Sequence, residues 1–355
     1  MKVAPVIAAM RAAGLPPMLV HTGQHYDETM SELFFRQLQI PEPDLNLEVG
    51  SGTQATQTAE IMRRFEPVVI EKRPDLVVVV GDVNSTMACA LVAVKLGVPV
   101  AHIEAGLRSF DRSMPEEINR VVTDVVSDLL FVTERSGLEN LKREGIADCK
   151  VHFVGNVMID TVLRHRDAAA QSDIAGRLGL RPGARYALVT LHRPSNVDDR
   201  EKLRGLLRAL DELARDIAVI FPIHPRTRRN AEEAGLDGEL GRLVVTEPLG
   251  YLEFLNLMNN AQLVITDSGG VQEETTVLGV PCLTVRENTE RPATVEFGTN
   301  RLVGTDPRAL LPAAREILGG RRPAGRLPEL WDGRAAERII SIIDQELGAR
   351  RDRKR

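Results

Sequence analysis

Leu263-Val-Ile-Thr-Asp-Ser-Gly-Gly-Val-Gln-Glu-Glu-Thr-Thr-Val-Leu-Gly-Val-Pro-Cys-Leu-Thr-Val285 contains one whole unit of this chain's architecture. The run Leu263–Thr266 is apolar without alternation, as in a strand buried on both faces. It enters Asp267-Ser268-Gly269-Gly270, where glycine lets the backbone turn tightly and approach a ligand. A helix follows and stops at Gly279, with Pro281 just beyond it, and a second apolar strand, Cys282–Val285, begins. A strand joined to the next through a helix implies a parallel pair, hence an α/β fold.

The same pattern recurs on both sides. Short apolar runs stand at Met18–His21, Leu76–Val80, Val100–Ile103, Leu129–Val132, Ala187–Thr190, Ala218–Phe221 and Leu243–Val245. Helical segments lie between them, among them Ser85–Leu96, Glu117–Val126, Arg135–Glu144 and Glu201–Arg215. Gly97-Val-Pro99 repeats the punctuation of Gly279-Val-Pro281. The 355 residues allow two domains of ordinary size. We place them at 1–160, with the C-terminal helix 335–349 packing back on it, and at 161–334. The basic end Arg350–Arg355 reads as a frayed, solvated tail.

Composition excludes several classes. Apolar residues make up 43% and charged residues 27%, as in a folded globular protein. Aromatic residues are only 4% and the net charge is −5, so a base-stacking platform or a DNA-binding surface is not expected. Cys89, Cys149 and Cys282 are far apart, with no metal-ligand spacing, which fits a reducing cytoplasm. No apolar run approaches the ~20 residues of a membrane span. No GxGxxG, GxxxxGK[ST] or HExxH occurs.

In parallel sheets ligands bind beyond the carboxyl ends of the strands, so polar residues there come first. Asp82 follows Leu76–Val80 and is either a working carboxylate or the cap of the next helix. Glu104 and Glu116 stand at neighbouring strand-end loops. Ser113 with Glu116 also reads as a capping box. Three clustered carboxylates suit general acid/base chemistry. His192, beside Arg193, ends a strand of the second half, and His224 is a weaker case of the same kind. Ser268, Gly269 and Gly270 start a helix, where free N–H groups and the helix dipole attract phosphate. Glu274, a turn further, is placed to accept ribose hydroxyls. Arg286 and Arg291 follow the next strand, where an arginine can clamp a diphosphate, though a surface charge cluster is the alternative. Together these features describe a nucleotide-sugar enzyme.

Taken jointly, His21-Thr-Gly-Gln-His25, Gly81-Asp82, His102-Ile-Glu-Ala-Gly-Leu-Arg108, Pro115-Glu-Glu-Ile-Asn-Arg120, Val154-Gly-Asn156, Leu191-His-Arg193, Asp267-Ser-Gly-Gly-Val-Gln-Glu-Glu274 and Thr289-Glu-Arg-Pro292 resemble the non-hydrolysing UDP-N-acetylglucosamine 2-epimerase family over nearly the whole chain. The resemblance implies a glycosyltransferase-B architecture, two Rossmann-like domains facing a cleft, assembled as a homodimer. It implies interconversion of UDP-N-acetylglucosamine and UDP-N-acetylmannosamine for cell-envelope polysaccharides, without metal or redox cofactor. Asp82, Glu104 and Glu116 would be the acid/base residues, and His192 would assist departure of the diphosphate. Ser268, Gly269 and Gly270 would bind phosphate, Glu274 ribose, Phe254 uracil, and Arg291 UDP or the sugar.

Three departures carry expectations. The family opens with a strand and a Gly-Thr-Arg-Pro-Glu-type loop before a Lys-x-Ala-Pro helix, whereas this chain opens at that helix. Lys2 is the remnant of the binding loop. The first strand is expected to be missing, at a cost to solubility and activity. Gln24-His-Tyr-Asp27 and His192-Arg-Pro-Ser-Asn196 differ from the substrate-regulated members, so little allosteric activation is expected. The same variants occur in relatives acting on diacetamido-uronic acid nucleotides, which keeps that sugar open. A hydrolysing epimerase, a glycosyltransferase and a non-catalytic nucleotide-sugar binder remain rivals.

Overall fold

The computed structural model describes residues 1–24 and 28–354. The variant positions His25, Tyr26 and Asp27 lie outside the described residues. The chain forms two compact units, Met1–Thr161 with Glu329–Arg355, and Val162–Pro328.

The first unit holds six strands: β1 Val20–His21, β2 Leu45–Asn46, β3 Val77–Val80, β4 Val100–Ala105, β5 Leu129–Val132 and β6 Val151–Phe153. β3-β4-β5-β6 form one parallel sheet, and β1-β2 form a separate parallel pair. Among the described residues no strand joins the pair to β3. The sheet is covered on both faces. Ala101, Ile103, Leu129 and Phe131 pack with Val6, Ile339, Ile340 and Ile343. Val77, Val79 and Val100 pack with Ile61, Phe65, Val69 and Ala88. This double burial is why the strands carry no polar alternation.

The register of β4 against β5 breaks at one residue. Ile103 pairs with Phe131 and Ala105 with Val132, which leaves Glu104 as an inserted residue with φ of 77°. A bulge re-aims the side chain it carries, and a non-glycine residue in the left-handed region is strained.

The helix Ala335–Lys354 returns to this unit from the end of the chain. Asp160 anchors its start, accepting hydrogen bonds from the Ala335 and Ala336 amides at 3.1 and 2.7 Å. Burial nevertheless pushes the Asp160 carboxyl up. Trp331 Nε1 donates to the Thr133 carbonyl just before the helix. The helix runs on through Arg350, Arg351 and Arg353 to Lys354, a stretch with no residue that breaks a helix.

The second unit holds β7 Tyr186–Thr190, β8 Ala218–Pro222, β9 Val244–Thr246, β10 Leu263–Thr266, β11 Cys282–Thr284 and β12 Asn300–Leu302. They form one parallel sheet ordered β12-β11-β10-β7-β8-β9. The chain winds outward from β7 through β8 and β9, then returns to β10 on the other side of β7. The direction of winding therefore reverses between β7 and β10, the point where such sheets open a crevice for ligand. A core of leucines from Arg200–Leu213 packs under Val189, Val219 and Ile265. Among the described residues no helix is long and apolar enough to cross a membrane.

Asp160→Ala leaves two first-turn N–H groups of the last helix without their acceptor. A loss of about 2 kcal/mol is expected. It should appear as a lower thermal midpoint and as faster amide exchange confined to the start of the helix Ala335–Lys354.

Candidate active site

In the first unit the ends of β3 and β4 bring Glu104 beside the turn that carries Asp82. Asp82 follows Gly81, whose φ is 76°. A Cβ on Gly81 would lie 3.5 Å from Glu104 Oε2 and 3.3 Å from Lys2 Nζ. Glu104 is 4% exposed and forms an ion pair with Lys2. Asp82 does not cap the next helix: the helix Asn84–Lys95 is preceded by Val83, with no side-chain cap. Its Oδ2 instead accepts Arg120 Nε at 3.0 Å and Nη2 at 2.7 Å.

Glu116 is half-buried in the first turn of the helix Pro115–Val126. Among the described residues no hydrogen bond or ion pair ties it to the other two carboxylates. The expected capping box is corrected as well. The helix starts one residue later than the motif requires, with Met114 at its N-cap and Pro115 at the first position. The Ser113 hydroxyl turns back to Asp111 Oδ1 at 2.6 Å.

Sequence reasoning did not isolate the groups beneath this site. His102 is fully buried, with Nδ1 at 2.7 Å from Asp124 Oδ1 and Nε2 at 2.8 Å from the Gly81 carbonyl. Asp124 Oδ2 also accepts the Gly106 amide and pairs with Arg108 at 2.7 Å. The His102 and Arg108 charges hold the Asp124 carboxyl low against the cost of burial. Glu117 accepts the Ser109 amide and hydroxyl, both at 2.9 Å, the Phe110 amide at 3.0 Å, and Arg120 Nη1 at 2.7 Å. The i,i+3 spacing of Glu117 and Arg120 was the available signal for this pair.

In the second unit the switch point is closed by Asp267, which is fully buried. Its carboxylate accepts the His192 amide at 3.0 Å, the Arg193 amide at 2.9 Å and Asn196 Nδ2 at 3.1 Å. The loop after β7 is thus fixed to the end of β10. His192 remains 41% exposed at its side chain, with Nε2 3.8 Å from Asp267 Oδ1. His224 lies two residues beyond β8, and its ring lies 5.7 Å from that of His192. Its Nδ1 accepts the Arg226 amide and caps the helix Pro225–Glu233. Burial, and then the nearby His192, lower its pKa.

Ser268 precedes the helix Gly269–Leu278 without capping it by its side chain. The first amides of that helix, at Gly269 and Gly270, are therefore not met by a serine oxygen. A Cβ at Gly269 would press on the side-chain ends of Arg291 and Glu290, so a larger residue there would shift that ion pair. Arg291 is 3% exposed, with Nε 2.8 Å from Glu273, and it also pairs with Glu290. Arg286 pairs with Glu290 at 2.7 Å, and its Nη1 is buried with no hydrogen-bond partner among the described residues. The alternative of a surface charge cluster is overturned, since Arg286, Glu290 and Arg291 are all buried.

Glu274 is 2% exposed and accepts Tyr251 OH at 3.2 Å. Burial pushes its carboxyl up to about 8. Phe254 sits half-buried in the first turn of the helix Tyr251–Asn260. Among the described residues no three His, Cys, Asp or Glu side chains are grouped to hold a metal ion.

The sequence profile of the family described as UDP-N-acetylglucosamine 2-epimerase matches residues 8–344. A UDP-N-acetylglucosamine 2-epimerase of Methanocaldococcus jannaschii is 44% identical over 96% of this chain and 95% of its own length. That coverage gives no support to the expectation of a chain too short to act. A UDP-2,3-diacetamido-2,3-dideoxy-D-glucuronate 2-epimerase of Pseudomonas aeruginosa is 45% identical over 86% of this chain and 85% of its own length. The crystal structure of the M. jannaschii UDP-GlcNAc 2-epimerase in complex with UDP-GlcNAc and UDP superposes with a TM-score of 0.90, at 43% identity, over 97% of this chain and 96% of that one. The two Rossmann-like units are thus of the glycosyltransferase-B-like class, and the chain belongs to the UDP-N-acetylglucosamine 2-epimerase family of isomerases.

Proposed function

We propose that this chain interconverts UDP-N-acetylglucosamine and UDP-N-acetylmannosamine by elimination and re-addition of UDP. The observation that carries the reading is that Glu104 lies beside Gly81, the residue before Asp82, with each carboxylate held by its own cation, Lys2 and Arg120. The C2 hydrogen of the sugar is not acidified by a neighbouring carbonyl, so simple deprotonation and return is too costly. In anti elimination a carboxylate takes the C2 proton as the C1–O bond breaks. The bonding pair becomes the C1–C2 double bond of 2-acetamidoglucal, and the C1–O pair leaves with UDP. Protonation of C2 on the opposite face, with return of UDP to C1, gives the epimer. Positioned acid/base groups and a firm grip on UDP are what this chemistry needs.

The residues divide accordingly. Asp82, Glu104 and Glu116 serve as acid/base groups, and Lys2 keeps Glu104 oriented while adding positive charge. The uncapped amides after Ser268, at Gly269 and Gly270, take phosphate together with Arg291. The unpartnered Arg286 Nη1 supports the same assignment. His192 faces the diphosphate, Glu274 the ribose and Phe254 the uracil.

A second reading is kept because of the P. aeruginosa relative: the substrate is the corresponding diacetamido-uronic acid nucleotide. In D2O, proton NMR of UDP-N-acetylglucosamine with this protein should show deuterium entering C2 and UDP-N-acetylmannosamine appearing together. Exchange only with the diacetamido-uronic acid nucleotide would move the assignment to that sugar. Release of UDP with free N-acetylmannosamine would replace the reading by a hydrolysing one.

Glu274 yields a pH prediction. Its folded pKa of about 8 lies above the ordinary carboxyl value of 4.5. Between those values the folded chain keeps a proton that the unfolded chain has released, so stability falls as pH rises through that window. Glu274→Gln removes this dependence. Its thermal midpoint should decline less than that of the wild type between pH 5 and pH 9 (about the span of the titration), and the variant should be the more stable of the two at the alkaline end.

A further inference from the structure

We propose that Glu117 and Arg120 form a buried strut that positions Asp82 and keeps it ionised. Both lie on one face of the helix Pro115–Val126, at 3% and 2% exposure. The inference rests on the epimerase reading only for what Asp82 does; the strut itself rests on geometry.

The guanidinium of Arg120 is shared between two carboxylates. Nε and Nη2 both reach Asp82 Oδ2, while Nη1 reaches Glu117 Oε2. This uses the fork of arginine in a way lysine cannot reproduce. Glu117 is in turn fixed by backbone. Its two oxygens accept the Ser109 and Phe110 amides, and Oε2 also accepts the Ser109 hydroxyl. Phe110 is held there with φ of 59° although 71% exposed. Asn119, on the same helix, donates to the Asp82 carbonyl at 2.9 Å. The loop leaving β4 and the turn leaving β3 are therefore bound through one charged chain, Ser109–Glu117–Arg120–Asp82.

The arrangement sets a charge state as well as a place. The Asp82 side chain is 22% exposed, so it faces solvent or ligand on one side and Arg120 on the other. Among the described residues, other ionisable groups placed around this turn are Lys2 and Glu104 beside Gly81, paired with each other, and His102 with Asp124 beneath the Gly81 carbonyl. Two N–H groups aimed at one carboxylate oxygen favour its ionised form.

The test compares wild type, Arg120→Lys and Arg120→Gln. One readout is the pH dependence of C2 deuterium exchange in UDP-N-acetylglucosamine. The other is 13C NMR titration of the Asp82 carboxyl, assigned with Asp82→Asn. In Arg120→Gln the Asp82 midpoint should rise by about one unit or more. The acidic limb of the rate profile should move with it, kcat should fall on the order of 100-fold, and KM should stay within about three-fold if substrate binding is not the function lost. Arg120→Lys should restore the midpoint most of the way and kcat only in part. A folded Arg120→Gln with an unmoved Asp82 midpoint overturns the proposal. If that variant does not fold, because Glu117 is left buried without its cation, the double variant Glu117→Gln/Arg120→Gln removes both charges and carries the same reading. A wild type that exchanges no C2 proton, with a midpoint that still rises in Arg120→Gln, refutes the epimerase reading and leaves the strut standing. Exchange in the wild type with no change of midpoint does the reverse.

Discussion

The second unit depends on the burial of one carboxylate at a switch point. Asp267 ends β10, yet the amides it accepts belong to the loop after β7. A fully buried carboxylate is costly unless its oxygens are met, and charge-assisted N–H bonds are the stronger kind that meet it. Here two backbone amides and Asn196 do so. The result is that two loops from strands distant in sequence are locked side by side. His192 and Ser268 inherit their places from that lock. A neutral residue at 267 would leave the amides unpaired, and the loop after β7 would lose its reason to lie where it does.

The first unit solves a similar problem with paired charges. Glu104 meets Lys2, Asp124 meets His102 and Arg108, and Arg120 bridges Asp82 and Glu117. Buried ion pairs contribute little net stability compared with apolar packing, because desolvation offsets much of the attraction. What they supply is direction. An apolar core beneath β3 and β4 would hold the sheet equally well but would leave the carboxylates at its end to rotate freely. The strained bulge at Glu104 belongs to the same design, since it turns one acidic side chain out of the regular alternation of β4.

Much of this was legible in the sequence, and the gaps have physical causes. Strands buried on both faces announce themselves as unbroken apolar runs, so Leu129–Val132 and Leu263–Thr266 were read at their observed bounds. β2, β6 and β12 carry no such signal, because Leu45–Asn46, Val151–Phe153 and Asn300–Leu302 are short, mixed in polarity and weak in period. Strand ends pointed to Asp82, Glu104, His192 and Ser268 because chain direction alone dictates where a parallel sheet exposes its polar termini. The partners of those residues were another matter. Arg120 lies 38 positions from Asp82 and Asp267 lies 75 from His192, and local pattern carries no information over such spans. The misread capping box at Ser113 has the opposite cause: the local motif was real, but Asp111 competes for the same hydroxyl.

The return of residues 329–355 to the first unit has a bearing on how the protein is made. Ile339, Ile340 and Ile343 cover one face of a sheet whose strands lie far earlier in the chain. During vectorial synthesis that face is covered only by the helix Val3–Ala12 until the helix Ala335–Lys354 leaves the ribosome, whereas the second unit is contiguous and can complete its core first. At about 5–20 residues per second the wait is on the order of ten seconds or more. The apolar face of β4 and β5 that Ile339, Ile340 and Ile343 finally cover is thus completed only after the whole second unit has been made.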